Sequence, residues 1–244
     1  MRRFILLIII FFACTGISAS DYRNTLSVEA QTRLDQQGKT SFLVEDSISA
    51  RISERFILLG RGIYHLREPE ATIGGGLGAV VVLGGGTYSE IMYSLLRYGE
   101  GEYTHRLYGD VSYETASSLT NLSTTGFISS DHWSMLFSAS YRHFLHDGAF
   151  IQGRYLMGYA PSTEELLTYT GVVQASYPFR NFQFSLGGGA GTSAEEDFVQ
   201  FGWTIFGSAD WEISQNLRVT YGISYEQKEV SSLLANRIML STRW

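Results

Sequence analysis

Five histidines, His65, His105, His132, His143 and His146, are the side chains of this sequence best suited to acid–base or metal chemistry. Three of them fall within fifteen residues, and Ser138, Ser140 and Asp147 lie in the same stretch. A nucleophilic serine needs a histidine to take its proton and a carboxylate to orient that histidine, so the segment holds the ingredients of a Ser-His-acid hydrolase. A spacing of three on an extended chain puts His143 and His146 on opposite faces, and neither has further ligands at matching spacing, so a metal site is not indicated. Two glycine runs, Gly74-Gly75-Gly76 and Gly84-Gly85-Gly86, invite a phosphate-loop reading. Neither ends in Gly-Lys-Ser or Gly-Lys-Thr and neither opens a helix, so bulges or close backbone approach account for them better. The residues force no catalytic role, no cofactor and no metal.

A second set of polar residues lies on one face of successive extended segments. Arg106, Asp110, Glu114, Arg142, Arg154, Asp210, Arg218, Glu226 and Arg237, with Glu29, Arg33 and Arg243, alternate with apolar neighbours. Charges gathered on an inward face line a selective pore or pair off and fill it. The reading favours an interior closed or nearly closed by paired charges.

The elements that position these residues are strands. Leu217, Val219, Tyr221, Ile223 and Tyr225 share one face, against Arg218, Thr220, Gly222, Ser224 and Glu226 on the other. That period of two is a strand's, and a helix would mix the two sets. The pattern recurs over residues 26–34, 107–113, 133–141, 151–159, 167–179, 199–211 and 234–244. Turns fall at 36–39, 99–101, 146–148, 193–197 and 226–231, all polar or glycine-bearing.

Alternation alone fits both a soluble β-sandwich and a membrane barrel. Segments of nine to thirteen residues suit a barrel strand, roughly 9 to 11 residues long, better than a soluble strand of about 5 or 6. Aromatics also mark the ends of the apolar faces, as at Trp133 and Tyr141, Tyr169 and Tyr177, and Trp203 and Trp211, where interfacial girdles lie. The expected fold is an all-β, transmembrane, antiparallel up-and-down barrel. At about 16 to 20 residues per strand and turn it holds about 12 strands, in a range of 10 to 14.

Residues 1–20 read as a cleaved secretory signal, with Arg2 and Arg3 before an apolar run of about 11 residues and Ser18-Ala19-Ser20 ahead of Asp21. The rival is a lipoprotein signal in which Cys14, the single cysteine, is acylated. Residues 21–244 then form one domain. A net charge of −6 argues against nucleic acid as a partner. Membrane lipid is the expected partner of the apolar faces.

The final segment alternates Ile238, Leu240, Thr242 and Trp244, and is similar to the C-terminal signal by which the bacterial assembly machinery recognises outer-membrane barrels. Leu83-Gly84-Gly85-Gly86-Thr87-Tyr88-Ser89 precedes a tyrosine-rich strand pair, and residues 150–165 form a glycine-punctuated strand ending in an acidic loop. These segments resemble the YaiO family of outer-membrane β-barrel proteins, over most of residues 21–244. The resemblance implies an outer-membrane location and surface exposure, and supplies no catalytic residues. The reading is therefore a structural or surface-exposed barrel or a narrow channel of unknown solute. Its alternatives are an envelope-modifying enzyme with a site at the rim and a secreted β-sandwich.

Overall fold

The computed structural model describes residues 25–35, 40–67, 70–99, 101–130, 132–161, 166–195, 198–229 and 231–243. The signal-like segment and Trp244 lie outside them. Fourteen strands run through the described residues. The first seven are β1 (Thr25–Asp35), β2 (Thr40–Ser53), β3 (Phe56–Arg67), β4 (Glu70–Gly84), β5 (Thr87–Tyr98), β6 (Glu102–Glu114) and β7 (Ser118–Ile128). The second seven are β8 (Trp133–Phe144), β9 (Phe150–Ala160), β10 (Leu166–Phe179), β11 (Phe182–Glu195), β12 (Phe198–Ser214), β13 (Leu217–Lys228) and β14 (Ser232–Arg243).

Each strand pairs antiparallel with the next, and β14 pairs with β1 from Thr25↔Arg243 to Asp35↔Leu233, closing the sheet into a barrel. Fourteen strands stand at the top of the expected range. No connection exceeds five residues, and four of those described, 54–55, 85–86, 180–181 and 215–216, have only two, so more strands fit into the same length. The β4–β5 turn is this tight because Gly84, Gly85 and Gly86 take φ of 99°, 61° and 80°, a region that costs glycine nothing. A Cβ on Gly86 would also overlap the carbonyl of Glu114.

Burial runs opposite to that of a soluble fold. Leu77 and Leu186 are 77% and 71% exposed on the outer face, whereas Ser94 and Thr220, facing inward, are each 2% exposed. A soluble sandwich would hide the first pair, so the β-sandwich alternative fails and the closed sheet meets an apolar surround. Strands of this length, rising about 3.3 Å per residue and tilted by about 40°, cover an apolar band about 25 Å tall.

The aromatics named above sit at both margins of that band. Trp133 meets Tyr159 edge-on at 5.7 Å and Trp203 meets Tyr225 at 5.6 Å, at the end away from the termini. Phe182 stacks on Trp211 at 5.8 Å at the other end. Such rings anchor a barrel where hydrocarbon gives way to headgroups.

One carboxylate breaks the outer face of the described residues. Asp46 lies midway along β2, between Val44 and Ile48 on the same face, opposite Val28 and Gly62. Its carboxylate occupies the space a Cβ on Gly62 would need, and no ion pair or side-chain hydrogen bond relieves it among the described residues. A charge on the lipid side of a barrel costs most at mid-depth. Asp46→Val is accordingly expected to stabilise the inserted barrel by about 1 kcal/mol, read as a higher urea midpoint in lipid bilayers. A lower midpoint would show that Asp46 is held by a favourable contact.

Candidate functional site

The barrel interior is the only part of the described fold where many polar side chains converge. Register fixes who faces whom. In β1, Ser27, Glu29, Gln31 and Arg33 point inward because Val28, Ala30 and Leu34 point out, and the same parity carries around the wall through every paired strand. All nine charged residues expected on the inward face take it: Arg106, Asp110 and Glu114 on β6, Arg142 on β8, Arg154 on β9, Asp210 on β12, Arg218 and Glu226 on β13, and Arg237 on β14. Ile238, Leu240 and Thr242 face outward on β14.

Part of this set is paired and part is not. Arg61 on β3 binds the Glu45 carboxylate on β2, and Arg237 Nε lies 4.0 Å from Glu29 Oε1 on β1, so two adjacent carboxylates are flanked by one arginine on each side where the barrel closes. Asp110 accepts from the Tyr108 hydroxyl at 2.7 Å, the Asn121 amide at 3.0 Å and the Glu90 backbone N–H at 3.0 Å. These three donors satisfy a carboxyl group that sits directly across the strand pair from Glu90. Asp210 accepts from the Thr220 hydroxyl, and Glu226 pairs with Lys228 at 3.6 Å.

The cations on the opposite wall lack carboxylates. Arg142 donates twice to Gln152 Oε1, at 3.2 and 2.9 Å, with its guanidinium 4.3 Å from the Phe150 ring. Arg106 lies 5.8 Å from the Phe127 ring. Arg154 and Arg218 form no ion pair and no side-chain hydrogen bond among the described residues.

The interior includes one open space of about 380 Å³, lined in part by Glu29, Glu45, Arg61, Glu90 and Met92, with Ser27, Ser47 and Ser49. Another, of about 420 Å³, is lined in part by Gln152, Arg154, Gln174, Thr204, Ser208, Ser224 and Arg237, with the apolar Leu156, Val172 and Phe206. Arg237 lines the second while its guanidinium faces Glu29 of the first. Next to the first space the wall is packed: Met92, Ser94 and Leu96 are buried although they face inward, since they lie over Gly78, Gly76 and Gly74 of β4. This is what the first glycine run does. With no side chains of their own, these glycines let the neighbouring β5 side chains lie flat against the wall.

The hydrolase constellation does not assemble. Ser138 and Ser140 face the interior, His143 faces outward on the same strand, and Asp147 sits in a 3-10 turn at φ 59°. Opposite faces of one strand cannot share a proton. His105 also faces outward, its Nδ1 2.7 Å from the Tyr93 hydroxyl. Among the described residues no three His, Cys, Asp or Glu side chains cluster as a metal site would need.

Glu45, Arg61 and Glu90 were not among the expected interior residues, nor were Gln152 and Gln174 singled out. In β2 the outward Asp46 masks the period of two, and β3 carries apolar residues on both faces, Ile57, Leu59 and Ile63 inward and Phe56, Leu58 and Leu66 outward. The signal available was Arg51, Arg61 and Glu45 at matching parity in a stretch of otherwise strand-forming residues.

No protein-family model and no curated protein matches the chain. Solved structures do. A monoaromatic hydrocarbon channel, CymD, superposes with TM-score 0.64 at 10% identity, covering 91% of this chain and 88% of that one. A bacterial polysaccharide outer membrane secretin gives 0.65 at 10% identity over 91% and 98%. The KdgM porin in complex with disordered oligogalacturonate gives 0.51 at 10% identity over 88% and 98%. The likeness is one of fold.

Arg61→Met removes the cation between Glu45 and the two neighbouring carboxylates of the first space. The variant is expected to lose about 1–2 kcal/mol of stability, seen as a lower urea midpoint at neutral pH, and Glu45→Gln in the same chain should restore most of it. Failure of the second change to restore stability would show that Arg61 acts through packing rather than charge.

Proposed function

We propose that this chain is a bacterial outer-membrane barrel that passes small polar solutes through a narrow interior. The observation that carries the reading is an apolar outer wall enclosing an inward face with open spaces of about 380 and 420 Å³ lined in part by charged side chains, with Arg237 of the second in contact with Glu29 of the first. A barrel with fourteen strands measures roughly 25 Å between backbone walls, and inward side chains on both sides reduce that to a bore of about 10 Å. Connections of five residues or fewer are too short to fold to the middle of the bore and return. Wall side chains therefore set its width.

The fold shared with a hydrocarbon channel and a porin supports the channel reading, and the YaiO resemblance supports a place in the outer membrane. Membrane lipid covers the outer face. The outward Ile238, Leu240 and Thr242 of β14, continued by Trp244, supply the edge that the barrel-assembly machinery reads. The lumen-facing arginines and carboxylates named above line the path. The packed β4–β5 wall and the Glu29–Arg237 contact favour a second reading, a structural barrel whose interior stays shut.

Conductance separates the two readings. Purified, heat-modifiable protein in a planar bilayer is expected to show discrete, small conductance steps that grow on Arg237→Ala, because that side chain lines the second space and contacts Glu29 of the first. Silence from both proteins would leave the structural barrel. Removing Trp244 is expected to cut the heat-modifiable band recovered from outer-membrane fractions severalfold, whereas an unchanged band would remove β14 from the assembly role.

A further inference from the structure

The two interior spaces differ in charge. The first contains Glu29, Glu45 and Glu90 against Arg61, whereas no carboxylate lines the second, which holds Arg154 and Arg237. We infer that the second space is a binding site for an elongated, hydroxylated carboxylate, deepening the channel reading on which the inference rests by naming the class of solute held in the bore.

Hydrogen-bond donors share this space with apolar side chains, Leu156, Val172 and Phe206 among them. Arg154 projects from β9 with no ion pair and no side-chain hydrogen bond among the described residues, so its guanidinium is free for a ligand. Gln152, beside it on the same face and also lining the space, accepts from Arg142 through its oxygen, which leaves its amide N–H groups as donors. Gln174 stands opposite Gln152 across the β9–β10 pair. On the far side Arg237 lies over Gly222, where a Cβ would come to 3.4 Å of Nε.

The two guanidiniums stand on strands five apart around the barrel, β9 and β14. An elongated ligand with charge at each end suits two cations that come from separate parts of the wall. Between them the wall offers Thr204, Ser208 and Ser224, hydroxyls suited to an alcohol-bearing chain, and the ring of Phe206, which lies over Gly187 and gives a flat apolar contact for carbon. A volume of about 420 Å³ falls in the range of roughly 300–1,000 Å³ usual for small-molecule sites. Guanidinium donors in a narrow, partly dehydrated bore favour a carboxylate over a neutral polyol of the same length.

The test compares D-glucarate with D-glucitol, which share a six-carbon hydroxylated chain and differ in the terminal carboxylates. Calorimetric titration of the folded barrel in detergent should show glucarate binding and no measurable glucitol binding. Arg154→Gln should weaken glucarate about tenfold, while Arg55→Gln, in the exposed turn between β2 and β3, should leave it unchanged. Both variants are first checked for the heat-modifiable band. Equal binding of the two compounds, absence of glucarate binding, or equal effects of the two substitutions would overturn the site. Planar-bilayer currents read the channel separately: glucarate binding with the expected arginine dependence, in a protein that never conducts, keeps the site and discards transport.

Discussion

Backbone hydrogen bonding in an apolar surround is the constraint on which everything else here depends. Where no water reaches, each strand must give all its N–H and C=O groups to neighbours, and a sheet with two open edges cannot do so. Closure through β1 and β14 removes both edges at once. Eleven residue pairs hold that seam in one unbroken register, and the register in turn decides which side chain at every position faces in. A slip of β1 by one residue against β14 would turn Glu29 and Arg33 toward hydrocarbon and bring Val28 and Ala30 inside.

Closure also explains why the interior is both polar and crowded. Side chains that face in cannot leave, and their charges are solvated only by one another and by whatever occupies the bore. Where strands carry glycine on the inward face, neighbouring side chains lie flat, as Met92, Ser94 and Leu96 do on β4 and Phe206 does on β11. Where they carry arginine without a nearby acid, as at Arg154, charge is left to be met by something else. The difference between the two interior spaces follows from this distribution along the chain and needs no moving part.

Much of this was legible in the sequence, for one physical reason: a barrel wall has two environments, and strand geometry alternates between them at every residue. The outward Trp133, Tyr141, Trp203, Trp211, Tyr221 and Ile223 and the inward Arg142, Arg154, Asp210 and Arg218 all followed from parity alone. Parity was harder to see where one position broke it. Asp46 puts a carboxylate among apolar residues in β2, and β3 and β4 place Ile57, Leu59, Val80 and Val82 inward, so residues 40–84 lost their contrast and the strand number came out low. The interior partners could not be read at all. Which arginine meets Glu45 or Glu29 depends on pairing between strands, and a local period carries no information about that.

The seam offers the most direct test of the account, since an open sheet or a sandwich would leave it unmade. Ser27 and Ser241 face each other across β1 and β14 with their hydroxyl oxygens 3.0 Å apart, and the only cysteine of the chain, Cys14, lies ahead of the barrel in the signal-like segment. Directly opposed strand positions fall within the Cα separation that a disulfide tolerates, about 4.4 to 6.8 Å. With Cys14 replaced by serine, a chain carrying Ser27→Cys and Ser241→Cys should oxidise in the membrane to near completion and then run as a linked loop on a denaturing gel after boiling, with reductant returning the linear form. Free thiols at both positions in membrane-inserted, heat-modifiable protein would contradict the closed barrel described here.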